Sequence, residues 1–283
     1  MARLDQELVA RGLARSRSHA AQLIAAGRVL RDGAVVGKPA LAIRADDVLA
    51  VEARGEEYVS RAGTKLAGAL QAFPAVTPEG RRCLDAGAST GGFTDVLLRR
   101  GAREVVAVDV GHGQLVQQLR DDPRVQVFEG LNVRDLDATH IGGKAQLTVA
   151  DLSFISLRLV MRALAAATHA DGELLLMVKP QFEVGRGGIN RLGIVTSAAA
   201  RRRAVAGVLR SALGCGLDVA GMAQSELPGQ DGNLEYFVWM KVPSGGLVPR
   251  IEGDLDRLTE QALALGDLFP PERTTTDQME LDE

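Results

Sequence analysis

The sequence predicts an α/β chain. Its main part is a mostly parallel seven-stranded sheet with an antiparallel last strand and helices wound on both faces, and a small α/β unit precedes it. Three observations predict this. An apolar run ends at Asp85 and is followed by the small-residue loop Ala86-Gly87-Ala88-Ser89-Thr90-Gly91-Gly92 and then by a helical pattern. From about residue 59 onward, strand-like and helix-like segments alternate, as in a parallel sheet with crossover helices. The alternation then breaks: 219–227 and 234–242 both read as strands, and the six residues 228–233 between them are too few for a helical crossover, so the last strand must run antiparallel.

Residues 1–52 form the small unit. Leu4, Leu8 and Val9 recur at helical spacing with Gly12 as a stop, and Ser16 or Ser18 caps a second helix that carries Ala21, Leu23 and Ile24 and ends at Gly27. Val29-Leu30 and Val35-Val36 flank Asp32-Gly33, a hairpin signal, and 48–51 closes the unit. The polar stretch 54–57 reads as a linker. Strands follow at 82–87, 104–109, 125–129, 146–151 and 173–179, then the terminal pair. Beyond the loose linker 243–246, residues 254–266 read as a helix with Leu255, Leu258, Ala262 and Leu265 on one face, and the tail from Pro270 is polar and expected to be disordered. The expected division is 1–55, a linker at 56–60, 61–243, and 244–283.

Composition bounds the function. With 46% hydrophobic residues and a net charge of -3, the 283-residue chain reads as soluble and globular. Its charge is unevenly spread: residues 1–44 hold eight Lys or Arg against three acids. Such asymmetry suits a polyanion-facing module, although charge alone describes a solvated basic surface equally well. Cys83 and Cys215 lack metal-ligand spacing, and the four histidines show no triad or metal pattern, so no metal is expected. No apolar run approaches a membrane span, and the first residues lack the apolar core of a signal peptide, so the expected location is the cytoplasm.

The glycine loop and a second strand ending in an acid, Val105 to Asp109, point to a nucleotide-like cofactor. A pyrophosphate would need three glycines in fixed register, and Ser89-Thr90 breaks that register. S-adenosylmethionine carries no phosphate and needs room beside the loop and an acceptor for its ribose hydroxyls. Asp109 can supply the acceptor, a role shared with NAD sites. Asn132 follows the third strand near where adenine would lie, a place where Asn is as often a turn residue. The terminal hairpin favours S-adenosylmethionine. The candidate cofactor residues are Asp85, Gly87, Ser89, Gly91, Gly92, Phe93, Asp109, Asn132 and Asp151.

Four charged residues gather at one edge of such a sheet. Lys65 lies on the helix before the first strand, Asp151 and Lys179 end the fourth and fifth strands, and Glu235 begins the last. Ligands of open α/β sheets bind at the carboxyl ends of the parallel strands, and the antiparallel strand contributes its beginning to the same edge.

Ser-Arg-Ala-x-x-Lys-Leu at 60–66, Asp151, Lys179-Pro180 and the late Glu235 resemble the Lys–Asp–Lys–Glu tetrad of FtsJ/RrmJ-type ribose 2′-O-methyltransferases. Residues 3–39 resemble the RNA-binding domain of ribosomal protein S4. The fusion of the two, with Asp-Leu-Ser-Phe-Ile-Ser-Leu at 151–157 and Lys-Pro-Gln-Phe-Glu at 179–183, resembles the TlyA family over about residues 2–242. The acidic junction Glu56-Glu57 departs from a basic or apolar junction, and the segment after Val242 falls outside the resemblance. The resemblance implies a Rossmann-like, S-adenosylmethionine-dependent domain that methylates the ribose 2′-hydroxyl of cytidine in ribosomal RNA. Its partners would be ribosomal RNA or ribosomal subunits, with no membrane required. Lys179 is then the base or alkoxide stabiliser, Lys65 its electrostatic partner and RNA positioner, and Asp151 and Glu235 the orienting carboxylates. Candidate RNA contacts are Arg3, Arg15, Arg17, Arg28, Arg31 and Lys38. Phe154 and Phe182 suit base stacking and core packing equally, and Arg201 to Arg203 read as a solvated helix face.

Two other classes compete. A membrane-lytic hemolysin would need apolar or amphipathic spanning segments, which the sequence lacks. A non-catalytic RNA- or ribosome-binding protein would not need the intact tetrad. Among enzymes, a pseudouridine synthase would have no glycine loop. Methylation at carbon five of cytosine would want a well-placed cysteine. An exocyclic-amine methyltransferase would want the two prolines that Asp151-Leu152-Ser153-Phe154 lacks.

Overall fold

A computed structural model of the chain describes residues 2–14, 16–52, 58–266 and 268–269. Arg15, residues 53–57 (which include the first two of the expected linker 56–60) and the tail from Pro270 lie outside the described residues. Backbone contacts divide the chain into Met1–Glu57 and Tyr58–Glu283.

In the first unit, helices α1 (Leu4–Ala10) and α2 (Arg17–Ala25) close over a core of Leu4, Leu8, Ala20, Leu23, Ile24, Val29 and Ile43. Ser16 caps α2 by accepting the His19 N–H at 3.2 Å. Strand β1 (Ala2–Arg3) pairs antiparallel with β4 (Ala42–Ile43), a short ladder that the sequence pattern does not show. Strand β2 (Val29–Arg31) lies between β3 (Ala34–Val35) and β5 (Leu49–Val51). The β2–β3 turn is Asp32-Gly33 with φ of 48° and 83°, the left-handed pair that a two-residue hairpin demands.

The second unit opens with α3 (Arg61–Ala72) and then builds β6 (Arg82–Ala86), α4 (Gly92–Arg99), β7 (Glu104–Asp109), α5 (Gln117–Arg120), β8 (Val125–Glu129), β9 (Ala145–Ala150), α6 (Met161–Ala166), β10 (Thr168–Val178), α7 (Pro180–Glu183), α8 (Ala198–Gly214), β11 (Asp218–Gln224), β12 (Tyr236–Lys241) and α9 (Glu252–Leu263). The sheet order is β11-β12-β10-β9-β6-β7-β8. Strands β10, β9, β6, β7 and β8 pair in parallel, and β12 is antiparallel to both of its neighbours. This is the Rossmann-like sheet with a reversed last strand that the sequence predicts. Apolar layers fill both faces: Leu84, Val106, Leu174, Leu176 and Val238 on one, Cys83, Val105, Leu147, Leu175 and Phe237 on the other.

Two local expectations shift. Strand β10 starts five residues earlier than the apolar run, with a register break between Thr168 and Glu173 at the polar segment His169–Gly172. Helix α9 buries Leu255, Thr259, Ala262 and Leu263, whereas Leu265 lies in the short turn Ala264–Gly266 that follows the helix and is exposed.

Candidate active site

Register assembles the site. Val178 pairs with Tyr236 across β10 and β12, Leu176 with Ala150 across β10 and β9, and Ala86 with both Ala150 and Val108. The residues just beyond these pairs, namely Lys179, Glu235, Asp151, Gly87 and Asp109, therefore emerge along one edge of the sheet.

The four charged residues form two ion pairs. Lys65 Nζ donates to Glu235 Oε2 at 2.5 Å, with both side chains buried. Lys179 Nζ lies 2.6 Å from Asp151 Oδ1, an ion pair out of hydrogen-bond alignment, and donates to Ser153 Oγ at 3.0 Å. Ser153 is thus part of the constellation. Its signal in the sequence was only its place two residues after Asp151. Glu235 is held from both flanks: a Cβ on Gly229 would stand 2.8 Å from its Oε1. Buried Asn233 accepts the Val195 N–H and donates to the Gly193 carbonyl, both at 3.0 Å, which ties the 190–195 loop beside it.

The glycine loop is built around Asp109. One carboxylate oxygen accepts the Ser89 N–H at 2.8 Å and the other the Gly111 N–H at 2.7 Å. Ser89, Asp109, Gly111, Gln114 and Glu129 line a cleft there. Gly87 and Gly91 take the left-handed φ values of 85° and 98° that let the chain turn from β6 into α4. Gly92 serves packing, since a Cβ there would meet Gly63 N at 2.8 Å and the Ser60 hydroxyl, where α3 crosses α4. Phe93 lies in the core, 2% exposed, and stacks on Phe237. Asn132 caps a short turn by accepting the Arg134 N–H at 3.0 Å. Asp85 is fully buried beneath the loop. One of its oxygens accepts the Thr94 hydroxyl at 2.7 Å and the other has no partner. Burial pushes its carboxyl up to about 7, with Asp151 and Asp109 adding to the rise against the Thr94 hydrogen bond. Burial likewise pushes the Cys83 thiol up to about 12, which leaves it unsuited to nucleophilic work.

In the first unit, Arg3 and Arg17 share Asp5, at 3.0 and 2.9 Å, and their hydrogen bonds pull its carboxyl down to about 2. Arg28 donates to the Glu52 carbonyl and Arg31 to Asp47, so both brace the fold. Lys38 is exposed. No helix among the described residues is long and apolar enough to cross a membrane.

Known proteins share this organisation. Residues 58–242 match the FtsJ-like methyltransferase family, and residues 2–49 match the S4 domain. The 16S/23S rRNA (cytidine-2′-O)-methyltransferase TlyA of Mycobacterium tuberculosis is 53% identical over 241 residues, covering 85% of this chain and 90% of that protein. Hemolysin A of Brachyspira hyodysenteriae is 37% identical over 83% of this chain and 98% of its own length. A solved hemolysin-type structure from Streptococcus thermophilus superposes with a TM-score of 0.69 at 35% identity, covering 92% of this chain and 94% of that one.

Proposed function

Because the chain belongs to the FtsJ-like methyltransferases, in the TlyA family that places an S4 domain ahead of the catalytic sheet, we infer that it methylates the ribose 2′-hydroxyl of cytidine in ribosomal RNA. The observation that carries this reading is the pairing of Lys179 with Asp151 and of Lys65 with Glu235, at the same sheet edge as Asp109 and the glycine loop.

The residues present fit S-adenosylmethionine. A carboxylate offers about four acceptor positions, and Asp109 uses two on backbone N–H groups, so acceptors remain for two ribose hydroxyls. Ser89 lines the same cleft, Gly87 and Gly91 turn the loop that carries it, and Asp85 lies buried beneath that loop. When bound, the cofactor supplies an electrophilic sulfonium methyl group. Lys179 is the group that meets the 2′-oxygen: its amine takes the hydroxyl proton, and the ammonium so formed is held by Asp151, so that the pair gains the one positive charge that the proton brings. Ser153 fixes the lysine's direction. Lys65, held by Glu235, keeps a second cation near the developing alkoxide and steadies the ribose. The basic first unit, through Arg3, Arg17 and Lys38, holds phosphates of the ribosomal substrate, and the work is done in the cytoplasm, where ribosomes are.

The test is nucleotide-resolved mapping of ribose methylation in ribosomal RNA from cells with and without the gene. The expected result is one or more cytidines methylated only when the protein is present. Identical maps would overturn the reading.

A further inference from the structure

The two segments that carry Asp151 and Lys179 do not end at the catalytic edge. One runs on through Ser156-Leu157-Arg158, and the other through α7 into the glycine-rich turn Gly185–Gly188. Together with α8 they enclose a groove of about 380 Å³, lined by Arg158, Glu183, Gly187, Gly188, Arg203 and Gly207. Glu183, the carboxylate in its wall, is committed internally. It accepts the Ser156 hydroxyl at 2.5 Å, the Leu157 N–H at 2.7 Å and Arg158 Nε at 3.1 Å, and it is buried. Arg158 lies along α8 at Gly207, where a Cβ would make ordinary contact with its side chain, 3.7 Å from Nη1.

The arginines of α8 then separate by role. Arg201 donates to the carbonyls of Val195 and Thr196, and Arg202 pairs with Glu260. Arg203 is exposed at the groove and has no carboxylate partner among the described residues. Arg158 is ion-paired with Glu183 and also donates to its carbonyl at 3.2 Å, so the groove presents Arg203 as the guanidinium without a carboxylate partner, beside an Arg158 held in place by the wall.

We propose that this groove seats the phosphodiester backbone of the RNA strand next to the methylated nucleotide, with Arg203 and Arg158 as the phosphate contacts. The proposal rests on the ribosomal RNA reading above. A ribose presented to Lys179 continues on each side into a phosphodiester, and the groove is the cationic continuation of the loops that hold that ribose. Backbone contacts of this kind fix register and carry no sequence information.

The experiment measures tritium transfer from labelled S-adenosylmethionine to unmethylated small and large ribosomal subunits, offered separately, as a function of subunit and salt concentration. Arg203→Glu is expected to raise KM for the subunit about tenfold and to lower the slope of log affinity against log salt by about 1, with kcat and cofactor affinity unchanged. Gly207→Glu and Gly207→Lys form a second pair. Both replace a helical glycine with a better helix former, so the fold is retained, yet they place opposite charges in the groove. The acidic variant is expected to raise KM and the basic one to spare it. Unchanged KM and salt slope in Arg203→Glu, or equal KM for the two Gly207 variants, overturns the groove. A wild-type protein that labels neither subunit overturns the functional reading on which the groove depends.

Discussion

Lys179 is pinned between Asp151 and Ser153, and neither partner can replace its cation. Lys179→Ala is expected to cut methyl transfer by about 10²- to 10⁴-fold, the range ascribed to a positioned acid or base, while cofactor affinity holds. Lys179→Arg keeps the charge but cannot accept a proton, so it should remain deeply impaired in the same tritium assay; near-wild-type activity in it would show that charge alone suffices. Glu235 offers a subtler case. The Gly229 backbone leaves its Oε1 no space for a neighbouring Cβ, at 2.8 Å. Gly229→Ala should push the carboxylate off Lys65 and lower kcat about tenfold, since displacements well below 1 Å weaken a reacting geometry. Gly245→Ala, which has open space around it, is the control expected to change nothing. A Gly229→Ala enzyme with unaltered kcat would mean that the Lys65–Glu235 distance is not critical.

At the scale of elements, Lys65 depends on how closely α3 approaches α4. That approach is made by two glycines, Gly63 and Gly92, each occupying space that the other helix needs. Gly92→Ala is expected to destabilise the protein by about 1–3 kcal/mol, as overpacking does, and to reduce turnover beyond that loss because α3 carries Lys65. Thermal melts alongside kcat would test this, and a variant with wild-type melting and turnover would show that the helices part freely. The same crossing shows what could be read from the sequence. The strands, the reversed final hairpin and the gathering of Lys65, Asp151, Lys179 and Glu235 at one sheet edge were legible, because apolar runs ending in charged residues at fixed topological places leave few alternatives. The division of labour inside the glycine loop was not. Gly92 and Phe93 sit in a motif whose spacing suggests a ligand, yet one seals a helix crossing and the other fills the core. Nothing local distinguishes them from Gly91, because the difference lies in Gly63 of α3 and in Phe237, 29 and 144 residues away in the sequence. Asn132 and Arg28 show a related ambiguity, since a polar side chain that satisfies a nearby backbone group looks in sequence like one that awaits a ligand.

Across the whole molecule, charge is partitioned: the chain is net -3, while its first 44 residues hold eight basic and three acidic side chains. That arrangement favours a polyanion at one unit without attracting it everywhere, and it makes substrate affinity fall as salt rises. Global stability should carry a second electrostatic signature, set by Asp85. This carboxyl sits at 0% exposure with one oxygen unpartnered, and burial is the main reason it is pushed up to about 7. In the unfolded chain it would titrate near 4, as an ordinary aspartate does, to within about a unit. Between those two values the folded protein holds a proton that the unfolded chain has released. Its contribution is therefore fully favourable below about pH 4, declines as pH rises, and reaches a constant penalty once pH passes about 7. Asp85→Asn removes the titration and keeps an oxygen to accept the Thr94 hydroxyl, so the other groups of the protein are matched in the two proteins. Urea midpoints measured from pH 5 to 8 should show wild type losing stability relative to Asp85→Asn as pH rises, with most of the divergence below neutrality. Parallel midpoints across that range would mean that the buried carboxyl is already ionised at pH 5 and that the loop beneath the cofactor cleft is braced by a charge rather than by a protonated acid.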